Sequence, residues 1–452
     1  MTKSYHFIGI GGVGMSALAH ILLNKGAQVS GSDVKESSTI EVLRKKGAKI
    51  FLKQSKENIQ KEQIVVYSTA IKSDNLEFAE AKRIHCLMVH RSELLQELLG
   101  EKKELVVVGA HGKTSTTSLL AHVMTVAGLD PSYAIGGFSP SLYSNGRGGE
   151  GEYFCIEGDE SDGSFLNTSP FGAIVNNIDS DHVGYYWKSY DDLLKAYKKF
   201  ISMVSNKDLL IYNGDDKTLR SWGIEGVSCG FGANNQVRAD RVEYDGFQMK
   251  FDIIDGNKKI ESLILNMTGM YNVQNALGVY ALVSRLGVPE KALRVAFSTF
   301  KGIKRRLELK ANVHNIFVID DYAHHPKEVL ETVYALERAF PVRRVIKVFQ
   351  PHRFTRVTDL LPDFVSALSK ISENLLVTDI FCAGESQEGM VTTEKFLDAL
   401  EEKTEFQYVP RDSISDYLLK IVEPGDIVLM MGAGDITSES DHLANEITTC
   451  LV

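Results

Sequence analysis

The sequence is poor in the features that would take it outside the ordinary globular proteins. It has five cysteines, Cys86, Cys155, Cys229, Cys382 and Cys450. They are scattered, odd in number and never spaced Cys-x-x-Cys, which excludes a zinc ribbon and a disulfide framework. No apolar run reaches the roughly 18 residues of a membrane-spanning helix. The opening MTKSYHFIGIGG holds no signal-peptide stretch. Basic residues are in deficit, 50 Lys and Arg against 59 Asp and Glu, for a net charge of −9. A dedicated nucleic-acid binder would show a basic domain, although a local basic pocket for phosphates stays open. No low-complexity tract or repeat array is visible. The expectation is a reduced, cytoplasmic protein with neither a nucleic-acid nor a membrane partner.

What is present points to several domains. A chain of 452 residues corresponds to about three. Apolar, β-branched runs at 5–10, 64–67, 105–108, 173–178, 316–319, 345–349, 375–378 and 427–431 alternate with amphipathic helical stretches. Continuous apolar strands separated by helices mean parallel sheets covered on both faces, so the class is α/β. Residues 209–265 differ, being rich in Gly, Asn and Asp with alternating patterns, and read as a small β-rich insert. Charged stretches at 100–104 and 300–306 suggest three units, 1–100, 101–303 and 304–452.

Two glycine loops carry the chemistry. In the first, the strand 5–10 runs into Gly9-Ile-Gly11-Gly12-Val13-Gly14 and a helix. Glycines let the backbone turn and approach a phosphate, and the helix start offers N–H groups to it. Asp33, about 20 residues on, suits a ribose hydroxyl, and Ser68, after the strand 64–67, is a second crevice candidate. The loop favours a nucleotide diphosphate: NAD by default, a sugar nucleotide by the same pyrophosphate chemistry. In the second, the strand 105–108 enters Gly109-Ala110-His111-Gly112-Lys113-Thr114-Ser115 and another helix. This is a phosphate-binding loop, shorter than the general form, in which Lys113 reaches the β/γ oxygens and Thr114 can hold Mg²⁺.

Such a loop needs a metal shell. Glu157 and His182 both follow apolar strands, and parallel strands open on one edge, so the two are expected to join Thr114 around Mg²⁺ or Mn²⁺. Asp159, Glu160 and Asp162 read instead as a solvated, helix-capping loop. In the last third, three strand ends carry Asp320-Asp321-Tyr322-Ala-His324-His325, Gln350-Pro-His352-Arg353-Phe-Thr-Arg356 and Gly432-Ala-Gly434. Arg353 and Arg356 share a face if the segment is helical, which suits a carboxylate or phosphate.

Together the motifs resemble the Mur ligases nearly end to end: GIGGVGMSALA (9–19), GAHGKTSTT (109–117), EGDESDGSFL (157–166), NNIDSDH (176–182), YNVQNALG (271–278), IDDYAHHP (319–326) and FQPHRFTR (349–356). The last two resemble the alanine-adding branch. The resemblance implies a Rossmann-like N-terminal domain for UDP, a central P-loop ATPase domain and a Rossmann-like C-terminal domain for the amino acid. It implies an ATP-dependent ligase joining L-alanine to the carboxylate of UDP-N-acetylmuramate through an acyl phosphate, with closure around the substrates. UDP would lie on Gly11, Gly12, Val13 and Gly14, with Asp33 and Ser68. ATP would lie on Gly109, Ala110, His111, Gly112, Lys113, Thr114, Ser115, Asn272, Asn275 and Asp321, and Mg²⁺ or Mn²⁺ on Thr114, Glu157 and His182. Tyr322, His352, Arg353 and Arg356 would surround the amino acid, with Arg306 joining Lys113 and His182 as catalytic residues. Tyr271 takes a position where family members often carry His. The oligomer expected is a monomer or weak homodimer. A ligase for a preformed tripeptide, an NAD-dependent oxidoreductase and a non-catalytic nucleotide-binding regulator are the alternatives.

Overall fold

The computed structural model of the chain describes residues 3–161, 163–179 and 186–450. It contains three sheets. The first has five strands, β1 (Ser4–Ile8), β2 (Gln28–Ser32), β3 (Lys49–Phe51), β4 (Ile64–Tyr67) and β5 (Leu87–His90), in the order β3-β2-β1-β4-β5 with every pairing parallel. The order reverses between β1 and β4, and the crevice outside the carboxyl ends at such a switch point is where open α/β sheets bind ligands.

The central sheet holds β6 (Lys103–Val108), β7 (Ser132–Ser139), β8 (Ser144–Arg147), β9 (Tyr153–Glu157), β10 (Pro170–Val175), β11 (Leu210–Asn213), β12 (Val227–Gly230), β13 (Val237–Asp245), β14 (Gln248–Asp255) and β15 (Lys258–Leu265). Its order is β15-β14-β13-β12-β11-β10-β6-β9-β7-β8. β6 lies between β9 and β10, parallel to both. Leu105, Val106, Val107 and Val108 are all buried, as an apolar run covered on both faces must be. The β-rich stretch 209–265 supplies β11 to β15 and carries the sheet outward from β10, with β11, β12 and β13 still parallel.

The third sheet has β16 (Glu308–Val313), β17 (Ile316–Asp321), β18 (Val345–Phe349), β19 (Leu375–Val377), β20 (Gln407–Tyr408) and β21 (Ile427–Met431), in the order β16-β17-β21-β18-β19-β20. Only β16 is antiparallel to its neighbour. Phe317 and Ile319 face one core, Ile316 and Val318 the other.

The chain forms two compact units. One comprises Met1–Glu243, Lys250–Asn266 and Asn272–Ile303, the other Tyr244–Met249, Met267–Tyr271 and Lys304–Val452. Within the first, the N-terminal and central sheets are joined at backbone distance. The helix Val13–Asn24 lies on β7 and β8. A Cβ on Gly146 would collide with the backbone of Ala17, so the position needs glycine on steric grounds alone. Beside it, Asn145 Nδ2 donates to Val13 O and Ser16 Oγ, each at 2.9 Å. Among the described residues no helix is long and apolar enough to cross a membrane.

Candidate active site

The first glycine loop leaves β1 at Gly9, whose φ of +78° suits glycine. Gly9 N and Ile10 N both donate to Ser32 O at 2.9 Å. Asp33, at the end of β2, accepts Gly11 N–H through Oδ2 at 2.9 Å and Val34 N–H through Oδ1 at 2.7 Å. It ties the loop to β2. The helix that follows is capped by Gly12 with no side-chain cap, whereas helices Ser38–Lys45 and Leu76–Arg83 of the same sheet are capped by Ser37 and Asn75. Its first N–H groups are therefore not spent on a capping side chain. Ser68 contributes its carbonyl to a turn, accepting from Ile71 N–H at 3.0 Å. Its neighbour Thr69 is the residue that lines the adjoining cavity.

The second loop follows β6 in the middle of the central sheet. Gly109 and Gly112 have φ of +139° and +80°, and the helix Lys113–Val126 also starts without a side-chain cap. Residues after β10 fix the loop: Ala110 N donates to Asn177 O at 3.3 Å and His111 N to Asn177 Oδ1 at 2.8 Å. His111 Nε2 stands 3.5 Å from Asp179. Asn272 and Asn275 lie on the helix Met270–Arg285, and a Cβ on Gly112 would come 2.9 Å from Asn275 Oδ1. The structure thus brings Asn275 against the loop.

Two carboxylates meet the loop's side chains. Thr114 Oγ1 donates to Glu157 Oε2 at 3.0 Å, and Glu157 also accepts from Gly136 N–H. Withdrawal from water pushes the Glu157 carboxyl above the usual carboxylate range, against the pull of Gly136 N–H, Thr114 and the charge of Lys113. Lys113 Nζ donates to both oxygens of Glu160 at 2.8 Å and to Gly109 O at 2.6 Å. Glu160 is only 1% exposed, with Trp187 Nε1 donating to its carbonyl at 2.7 Å. This corrects the reading of Glu160 as part of a solvated loop: its burial and its ion pair with Lys113 place it against the second loop. Asp159 caps a local turn, accepting from Ser161 N–H at 2.9 Å. His182 and Asp162 lie outside the described residues.

Both loops open on one cavity of about 910 Å³. Its lining runs from Val13, Gly14 and Arg91 to Lys113, Thr114 and Glu157. Arg91 has no motif to announce it. It stands at the start of the helix Arg91–Leu99, which His90 and Glu93 cap reciprocally.

The third sheet gathers its own cluster. Arg305 and Arg306 lie over the Tyr322 ring at 4.8 and 5.3 Å from its centroid. Arg306 also stands 3.8 Å from Glu328, which is 3.3 Å from His324 Nδ1. Arg356 Nη1 donates to His352 Nδ1 at 3.1 Å, and His352 stacks on Phe381. Burial lowers His324 to about 4 and His352 to about 3, so both are neutral at neutral pH; His352 Nδ1 accepts from Arg356, whereas His324 Nδ1–H donates to Tyr322 O at 2.9 Å. Arg353 does not share a helical face with Arg356. It precedes the helix Phe354–Asp359 with φ of +69°, and its Nε lies 4.0 Å from Glu385. Arg353 N–H donates to Phe381 O at 2.8 Å, which holds the residue in that backbone region. Asp321 is turned inward, accepting from Leu307 N and Ala323 N at 2.7 and 2.8 Å. Gly432 and Gly434 present their carbonyls to Arg305 at 2.6 and 3.1 Å.

Two glycine loops of phosphate-binding form, each leading into a helix without a side-chain cap, face one cavity. The chain matches the catalytic domain of the Mur ligase family over residues 4–103, the Mur ligase middle domain over 107–283 and the Mur ligase glutamate ligase domain over 305–434. It belongs to the Mur ligase family. It is 40% identical over 439 residues to the UDP-N-acetylmuramate–L-alanine ligase of Protochlamydia amoebophila, covering 97% of this chain and 96% of that one. It is 40% identical over 452 residues to the ligase of the same name from a Sulfurihydrogenibium species, covering 99% and 98%. Among solved structures it resembles the UDP-N-acetylmuramate–alanine ligase MurC of Thermotoga maritima, with a TM-score of 0.84 and 28% identity over 99% of each chain. The fold is also that of a murein peptide ligase from Psychrobacter arcticus, with a TM-score of 0.71 and 22% identity over 99% of each chain.

Proposed function

We propose that this chain joins L-alanine to the carboxylate of UDP-N-acetylmuramate at the expense of ATP. The products are UDP-N-acetylmuramoyl-L-alanine, ADP and phosphate, made for peptidoglycan precursor synthesis in the cytoplasm by a monomer or weak homodimer. Residues 1–100 take the UDP moiety, 101–303 take ATP, and 304–452 take the amino acid. The observation that carries the reading is the single cavity reached by Gly14 at one end and by Lys113 and Thr114 at the other. The full-length likeness to ligases of that name supports it.

The chemistry follows from the residues. The substrate carboxylate attacks the γ-phosphorus, ADP leaves, and the acyl phosphate is then attacked at carbon by the alanine amine, releasing phosphate. Little covalent work falls to the protein, so positioning and charge stabilisation dominate. Lys113, held by Glu160 and Gly109 O, meets the γ-phosphate oxygens. The N–H groups at the start of its helix receive the other phosphate oxygens. Asn275 supports the loop from behind. Arg306, Arg353 and Arg356 provide cationic donors for the amino-acid carboxylate, with Tyr322 and His352 beside them.

A hydroxyl and a carboxylate 3.0 Å apart are hard oxygen donors, a set that fits Mg²⁺ completed by phosphate oxygens and water. Thr114 and Glu157 would hold the ion, with His182 as the third candidate. When bound, Mg²⁺ neutralises charge on the β- and γ-phosphates.

ADP release settles the reading. It should require UDP-N-acetylmuramate and L-alanine together. Equal release with a preformed tripeptide and none with alanine would move the chain to the tripeptide-adding activity, and nicotinamide turnover without ADP would end the ligase reading.

A further inference from the structure

The two glycine loops differ in one respect. The second contains Lys113, whereas the first, Gly9 to Gly14, contains no cation. A diphosphate carries two or more negative charges, and uncapped helix N–H groups with half a unit of positive dipole charge meet only part of them. Among the described residues lining the shared cavity, Arg91 and Lys113 are the only Arg or Lys. Lys113 stands at the far loop, beside Glu160. Arg91 stands at the near one: a Cβ on Gly14 would come 2.7 Å from its Nη1. The fourth glycine of the loop thus lies against this guanidinium, and a side chain there would push it aside.

The start of the Arg91 helix is fixed independently of a ligand. His90 Nδ1 accepts Ser92 N–H at 3.4 Å, Glu93 accepts His90 N–H at 3.1 Å, and the His90 ring lies edge-on to Tyr67 at 5.4 Å. The guanidinium thus issues from a rigid helix end beside β4, on the switch-point side of the sheet. Its planar fork matches two phosphate oxygens at once.

We propose that Arg91 is the cation of the first site and grips the diphosphate of the nucleotide-sugar substrate across Gly14. The assignment rests on the reading of that loop as a UDP site. Removing a charge-assisted pair of hydrogen bonds should weaken binding about ten- to hundredfold.

The test uses the full chain, with UDP and uridine as calorimetric probes in the absence of ATP. Arg91→Ala should weaken UDP by that factor and leave uridine unchanged, and Arg91→Lys should fall between. In turnover, Arg91→Ala should raise the KM for UDP-N-acetylmuramate alone, with kcat and the KM for ATP within about twofold. Gly14→Ala should weaken UDP by displacing the guanidinium, and the double variant should be no worse than Arg91→Ala, a non-additivity that a merely structural arginine would not give. Equal UDP affinity in wild type and Arg91→Ala, with wild type binding UDP, would overturn the role of Arg91 and leave the UDP site standing. Failure of wild type to bind UDP would overturn both.

Discussion

Lys113 Nζ sits 2.8 Å from both carboxylate oxygens of Glu160, a residue 47 positions further along the chain. The P-loop lysine is thus held by a buried carboxylate. By sequence, a loop lysine contributes little to packing and its loss should cost activity alone. With a buried carboxylate as its partner, the expectation changes. Lys113→Ala should abolish turnover and also destabilise the first unit by roughly 3 kcal/mol, because it leaves Glu160 buried and unpaired. Lys113→Met with Glu160→Gln should regain much of the stability and none of the activity. Urea unfolding of the variants reads the first effect and ADP release the second. Full stability of Lys113→Ala would show that the pair does not hold the loop.

Glu157 and Thr114 make a second testable pair. Glu157→Gln should raise the Mg²⁺ concentration needed for half-maximal rate by at least about tenfold, while the KM for alanine stays put. A metal titration at saturating substrates checks it. An unchanged Mg²⁺ requirement would remove Glu157 from the ion.

Gly146 tests the joint between the first two sheets. Its missing Cβ is what lets β8 touch the Ala17 backbone. Gly146→Ala should destabilise the protein by about 2–3 kcal/mol, an overpacking penalty. Asn145→Ala should cost about 1 kcal/mol through the lost hydrogen bonds. Thermal melts that show Gly146→Ala as stable as wild type would contradict the packing argument.

The pH dependence of the second unit has a definite sign. His324 and His352 have folded values of about 4 and about 3 against an ordinary 6.5. The unfolded chain therefore takes up their protons first, and stability falls as pH drops from 6.5 towards those values. Asp321 acts oppositely: burial raises it from 3.8 to about 6, so it favours the folded state as pH falls through 6. Two imidazoles outweigh one carboxyl, and the unit should be less stable near pH 5 than at pH 7. His324→Gln with His352→Gln should flatten that slope, and Asp321→Asn should steepen it. A slope untouched by the double His variant would refute the assignment.

The sequence was informative where one short segment builds a feature alone. Each glycine loop sits between its own strand and helix, so the turn, the uncapped helix start and Lys113 could be read locally. The parallel class followed from β-branched runs buried on both faces. What escaped was set at long range. Glu160 meets Lys113 across 47 positions of chain, and the placement of Arg91 beside Gly14 depends on where β5 ends relative to β1. Asn145 takes its meaning from a helix some 130 positions earlier. Arg353 was misjudged because a hydrogen bond to Phe381 holds its backbone at positive φ, outside the helix that spacing suggested. The stretch 209–265 showed its strands but not their destination, since alternation marks a half-exposed strand without naming its neighbour.

The account centres on activation of a carboxylate by ATP at Lys113 before the amine attacks. Its most direct test follows ¹⁸O from the labelled carboxylate of UDP-N-acetylmuramate in a reaction with ATP and L-alanine. The account predicts one labelled oxygen in the phosphate released, because the oxygen that attacks the γ-phosphorus leaves with it. Unlabelled phosphate alongside amide product would contradict it.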